Sequence, residues 1–131
     1  MSIWSYLIGL FSKIYRRRSV STETETLIRK EWIRINADLL QNNPSQLKQA
    51  LIRADKSLDR ALADIFDGEN MGTRLKNAKD RFDRGVYNKI WEGHKVRNAL
   101  VHEAGYEPPY FMVREAIENL RGGLSALGVN V

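Results

Sequence analysis

A chain of 131 residues has room for one folded domain whose core can stand without covalent staples, and its size speaks against two. Its 43% apolar and 28% charged composition is that of an ordinary globular protein rather than a disordered or integral membrane one. With no cysteine, disulfides, thiolate metal ligation and a cysteine nucleophile are excluded, and a reducing, cytoplasmic setting is permitted.

The formal net charge of +5 invites a nucleic-acid reading, so its placement matters. Residues 1–30 carry six Lys/Arg against Glu23 and Glu25, and the remainder has 15 against 14. The basic surplus belongs to the N-terminal arm, and the body is close to neutral. Phosphate-driven affinity needs several cations on one face, so the global charge alone says little about RNA or DNA.

In chain order, residues 1–18 place Ile3, Trp4, Leu7, Ile8, Phe11, Ile14 and Tyr15 at helical spacing before Arg16, Arg17 and Arg18. This pattern predicts an amphipathic helix. Its apolar run falls short of the roughly 20 residues that span a bilayer. The charge follows the apolar run instead of preceding it, which is unlike a secretory signal. Two readings stay open: a helix packed on protein, or a peripheral membrane arm built on Trp4, Phe11, Arg16, Arg17 and Arg18. Residues 19–24 are polar and read as a linker to a domain over 25–131.

Within that domain the first predicted helix covers about 25–41, with Leu27, Ile28, Trp32, Ile35, Leu39 and Leu40 on one stripe. Asn43-Pro44-Ser45-Gln46 is a helix start, combining a capping side chain with proline at the first helical position. The helix it opens runs to about Phe66. Asp67-Gly68-Glu69-Asn70 breaks it, a shorter helix follows through Leu75, Ala78 and Phe82, and Asp83-Arg84-Gly85 makes the next break. A further helix covers about 86–103 and stops near Gly105. Pro108-Pro109 opens the last one, which uses Phe111, Ala116, Ile117, Leu120, Leu124 and Leu127. No useful stretch of strict apolar alternation occurs. The expected architecture is all-α, an antiparallel helical bundle with an extra N-terminal amphipathic helix.

The helix over 86–103 carries the most pointed chemistry. Tyr87, Ile90, Trp91, His94, Asn98 and Val101 share a face that mixes core and polar residues, and both histidines, His94 and His102, lie on this helix. Arg97 and His102 are offset by roughly 140° around an ideal helix and about 7.5 Å along it. They converge only through the reach of arginine, a loosened last turn, or a second copy of the helix. The two histidines are about 12 Å apart along the axis, too far to share one zinc ion within a monomer, so no metal site and no cofactor is expected.

Arg97-Asn98-Ala99-Leu100-Val101-His102 resembles the R-x4-6-H signature of the HEPN superfamily, and it closes the penultimate predicted helix as it does there. The likeness covers about Asn43 to Leu127. It implies a HEPN-like bundle, a homodimer, and activity as a metal-independent endoribonuclease or toxin acting on RNA, with an antitoxin or other protein as partner. By that resemblance His102 acts as general acid or base at the 2′-hydroxyl or leaving oxygen, Arg97 binds the scissile phosphate, and Asn98 orients one of them. Trp91 and His94 are then candidate binding or interface residues. A group of small bacterial proteins also resembles the stretch that includes Ala54-Asp55-Lys56, Met71-Gly72, Trp91, His94 and Arg97-Asn98, and it carries no assigned role. The alternative reading is a non-catalytic dimerisation or partner-binding module, in which Arg97 pairs with a carboxylate such as Glu92, Glu103 or one on another helix.

Overall fold

The computed structural model describes residues 3, 4 and 18–131. Phe11, Arg16 and Arg17 of the expected arm lie outside the described residues. Ile3 and Trp4 are helical and exposed, and the carbonyl of Arg18 accepts a hydrogen bond from Arg81 Nη1 at 2.9 Å.

Among residues 18–131, five α-helices pack into an all-α bundle: α1 (Thr22–Gln41), α2 (Pro44–Ile65), α3 (Met71–Asn77), α4 (Arg84–His102) and α5 (Tyr110–Ala126), with a 3-10 turn over Lys79–Arg81. Among the described residues no helix is long and apolar enough to cross a membrane. α1 begins at Thr22, inside the stretch expected to be linker, because Ser21 caps it. Its hydroxyl accepts from the Thr24 amide, Glu23 and Glu25 occupy the first turn, and its own amide donates to Asp64 Oδ2 on α2. Asn43 caps α2 as its sequence implies, accepting from the amides of Ser45 and Gln46. The expected short helix through Phe82 is interrupted after Asn77 and finishes as the 3-10 turn. The expected break at Asp83-Arg84-Gly85 falls slightly earlier, at Phe82 and Asp83, so that Arg84 and Gly85 already form the first turn of α4.

α2 is the central element. Leu47, Ala50, Leu51, Ala54, Leu58, Ala61, Leu62 and Ile65 are buried along it, and it packs against α1, α4 and α5. α1 runs antiparallel to α2, with Trp32 opposite Ser57 and Asp38 opposite Arg53. It is also antiparallel to α5, where Arg114 donates to the Leu39 carbonyl and Arg121 lies 4.6 Å from the centre of the Trp32 ring. Two glycines set the approach of α4 to its neighbours. A Cβ on Gly93 would sit 2.8 Å from the Ala116 carbonyl oxygen, and one on Gly123 would meet Ile90 and Leu58 at 2.9 and 3.0 Å. These close approaches bring the polar part of α4 against the middle of α2.

Candidate functional site

The site starts from a charge in an apolar stripe. Asp55 follows Leu51 by four residues and precedes Leu58 by three, so helical geometry turns it to the buried face of α2, where it is 4% exposed. A carboxylate so placed needs partners. α4 supplies them. His94, 8% exposed, sets Nδ1 at 2.9 Å from Asp55 Oδ1, and Arg97 sets Nε at 3.5 Å from Asp55 Oδ2. Asn98 joins the two: its Nδ2 lies 3.3 Å from His94 Nε2, and its Oδ1 accepts from Arg97 Nη1 at 2.9 Å.

The donors and acceptors order themselves. Nδ1 faces a carboxylate and so carries the ring hydrogen, Nε2 accepts from the Asn98 amide, and Asn98 Oδ1 is already engaged by arginine. These contacts close a ring of Asp55, His94, Asn98 and Arg97. One donor in the ring falls short: Arg97 Nε is buried without a hydrogen-bond partner, held to Asp55 by charge alone. Arg97 Nη2 has no partner among the described residues, and the side chain keeps 29% of its surface exposed. The guanidinium is thus fixed on one side and open on the other.

The carboxylate that engages Arg97 is neither Glu92 nor Glu103 but one on another helix. The signal for Asp55 lies in the sequence as an acidic residue at a core position of α2. Trp91 stands at the rim, edge to face with His94 at 5.9 Å and with Tyr87 at 6.3 Å.

His102 lies elsewhere. It ends α4, is exposed, and makes no hydrogen bond among the described residues. It lines a cavity of about 860 Å³ formed by the last turn of α4, the loop 103–109 and the starts of α2 and α5, and Arg97 is not among the lining residues. Gly105, with φ of +78°, takes the left-handed turn beyond the helix. Val101, expected on the inward face, is 42% exposed because this last turn borders open cavity instead of a packed neighbour. The structure therefore brings Arg97, Asn98, His94 and Trp91 together around Asp55 and leaves His102 apart, as the helical offset requires.

Chemically, the arrangement can present one oriented guanidinium and one exposed imidazole from the end of the same helix. Among the described residues no three His, Asp or Glu side chains are grouped to hold a metal ion. Compared with family models, curated proteins and solved structures, the chain matches none of them.

Proposed function

We propose that this chain is a HEPN-like, metal-independent endoribonuclease acting as a homodimer, with Arg97 binding the scissile phosphate and His102 moving the proton. The observation that carries the proposal is the contrast between the two side chains. Asp55 and Asn98 hold Arg97 from behind while Nη2 stays open, a geometry suited to a phosphate oxygen. His102 is exposed and has no partner among the described residues, as suits a group that exchanges a proton with substrate. In the step proposed, the RNA 2′-oxygen attacks the adjacent phosphorus and the bond from phosphorus to the 5′-oxygen breaks. The imidazole accepts the 2′-hydroxyl proton while water protonates the leaving 5′-oxygen, or as imidazolium it protonates that oxygen while water takes the 2′-hydroxyl proton, and the guanidinium offsets charge on the phosphate. Two copies crossing near the ends of α4 would set Arg97 of one against His102 of the other. The setting is cytoplasmic, with the basic arm meeting an anionic membrane surface and an antitoxin as a further partner.

A specific observation favours a second reading: the Asp55–His94–Asn98–Arg97 ring is closed and lies largely within the bundle, as a purely structural device would. In that case α4 serves a dimer or partner interface and catalyses nothing. Incubating a mixed RNA pool with the purified chain in EDTA separates the two. Cleavage lost in Arg97→Ala and in His102→Ala supports the nuclease, and cleavage unchanged in both overturns it.

A further inference from the structure

Beside Trp91, α3 and α4 form a shallow cleft of about 580 Å³ lined by Lys76, Tyr87, Asn88, Trp91, Glu92 and Lys95. Trp91 is half-buried and its ring is braced edge to face by Tyr87 and by His94, so the indole is held in place before any ligand arrives. Its indole N–H has no partner among the described residues, whereas that of Trp32 donates to Ser57. Lys76 and Lys95 are exposed and join no ion pair among the described residues.

The cleft also lies in line with His102. On an ideal helix Asn88, Trp91, Lys95, Asn98 and His102 fall within about 80° of arc, with Trp91 roughly 16 Å and Lys95 roughly 10 Å before His102 along the axis. One partly exposed face of α4 therefore runs from an aromatic platform, past the exposed Lys95 and the half-buried Asn98, to the imidazole. Fixed aromatic rings flanked by unpaired cations suit the bases and phosphates of a single strand, because every base offers a face for stacking. A protein partner fits less well, since the centre of a protein interface is depleted in charge and this cleft places two lysines and Glu92 around its one indole.

We infer that the Trp91 cleft is a nucleobase-stacking subsite that holds single-stranded RNA a few nucleotides away from the bond presented to His102. The inference rests on the nuclease reading for what lies at His102, and it names the substrate class as single-stranded RNA. Trp91 stacks on a base, Tyr87 braces it, and Lys76 and Lys95 meet the flanking phosphates.

The test is binding of a fluorescein-labelled, unstructured oligouridylate to the full-length chain carrying His102→Ala, which prevents turnover, followed by anisotropy across a salt series. Adding Trp91→Ala should weaken binding on the order of tenfold or more, while Trp91→Phe stays within about threefold. The pair Lys76→Gln and Lys95→Gln should flatten the dependence of log affinity on log salt by about 1.4, and neither lysine is packed in the core, so folding is not at issue. A duplex of equal length should respond little to Trp91→Ala. Unchanged affinity for the single strand in Trp91→Ala overturns the inference. So does a Trp91→Ala chain that loses self-association in sedimentation but not RNA binding, since the cleft then belongs to a second copy. If the wild-type chain cleaves no RNA yet binds the single strand through Trp91, the nuclease reading fails and the subsite stands. Cleavage that needs His102 while Trp91→Ala binds normally gives the converse.

Discussion

Replacing Asp55 tests whether the ring on α4 is built around that one carboxylate. Asp55 is 4% exposed and is the acceptor facing both His94 Nδ1 at 2.9 Å and Arg97 Nε at 3.5 Å. In Asp55→Ala the imidazole hydrogen and the arginine charge stay in the bundle without their partner, and a small void opens beside Ala54 and Leu58. Breaking a buried pair from one side destabilises by about 3–5 kcal/mol. That is a large share of the roughly 5–15 kcal/mol that holds a domain together. For a chain of this size it corresponds to a fall in Tm of about 10–20 °C. Asp55→Asn keeps the shape and can still accept from His94, but its amide group turns donor against Arg97, so about 1–3 kcal/mol is expected. Urea unfolding followed by circular dichroism at constant m-value measures both. In the cycle of Asp55→Ala with His94→Ala, a coupling of about 1–3 kcal/mol is expected. Asp55→Ala within about 0.5 kcal/mol of wild type, or no coupling, would refute the argument that the ring is cooperative.

Four further outcomes follow from the packing and the arm. Gly93→Ala should destabilise by about 1–3 kcal/mol, because its Cβ meets the Ala116 backbone oxygen at 2.8 Å and α4 must move off α5. Gly122→Ala, on the open side of α5 with nothing within 4 Å, should stabilise by about 0.5–1 kcal/mol, and thermal melts compare the two. Ser57→Ala leaves the N–H of Trp32, which is 1% exposed, without its acceptor and should cost about 1–2 kcal/mol in denaturant titrations. Replacing Arg16, Arg17 and Arg18 together by Gln should weaken co-sedimentation with anionic vesicles by about two orders of magnitude, at about 1 kcal/mol per charge, and leave neutral vesicles unaffected.

Much of the bundle is readable from residues alone because local and global signals agree in it. The period of Leu47, Leu51, Ala54, Leu58 and Leu62 predicts α2 and its buried face, and Asn43-Pro44 predicts its start. Starts whose signals sit in a polar run are read less well. α1 begins earlier than its apolar stripe because Ser21 caps it locally and is also fastened to Asp64, a residue 43 positions away, a bond that no local pattern reports. The face of α4 was legible as a mixture of core and polar residues, but its meaning depends on α2. Asp55 is a core position by helical geometry and an acid by chemistry, and that conflict is the sequence trace of the ring. The separation of Arg97 from His102 follows from helical geometry, since five residues carry the chain well round the helix. The cavity at His102 has no such trace, because it is made by the loop 103–109 and two helix starts from distant parts of the chain.

The most direct test of the proposed nuclease activity is the chemistry of the RNA ends. A defined single-stranded RNA is incubated in EDTA with the wild-type chain, with Arg97→Ala and with His102→Ala, and the fragments are weighed by mass spectrometry. Attack by the 2′-oxygen predicts fragments ending in a 2′,3′-cyclic phosphate or its hydrolysed 3′-phosphate, paired with 5′-hydroxyl ends. Both variants should reduce the yield by at least about a hundredfold, and the same sequence in DNA should stay intact. Fragments with 5′-phosphate and 3′-hydroxyl ends, equal cleavage by the variants, or an RNA left whole by the wild-type chain would contradict the account.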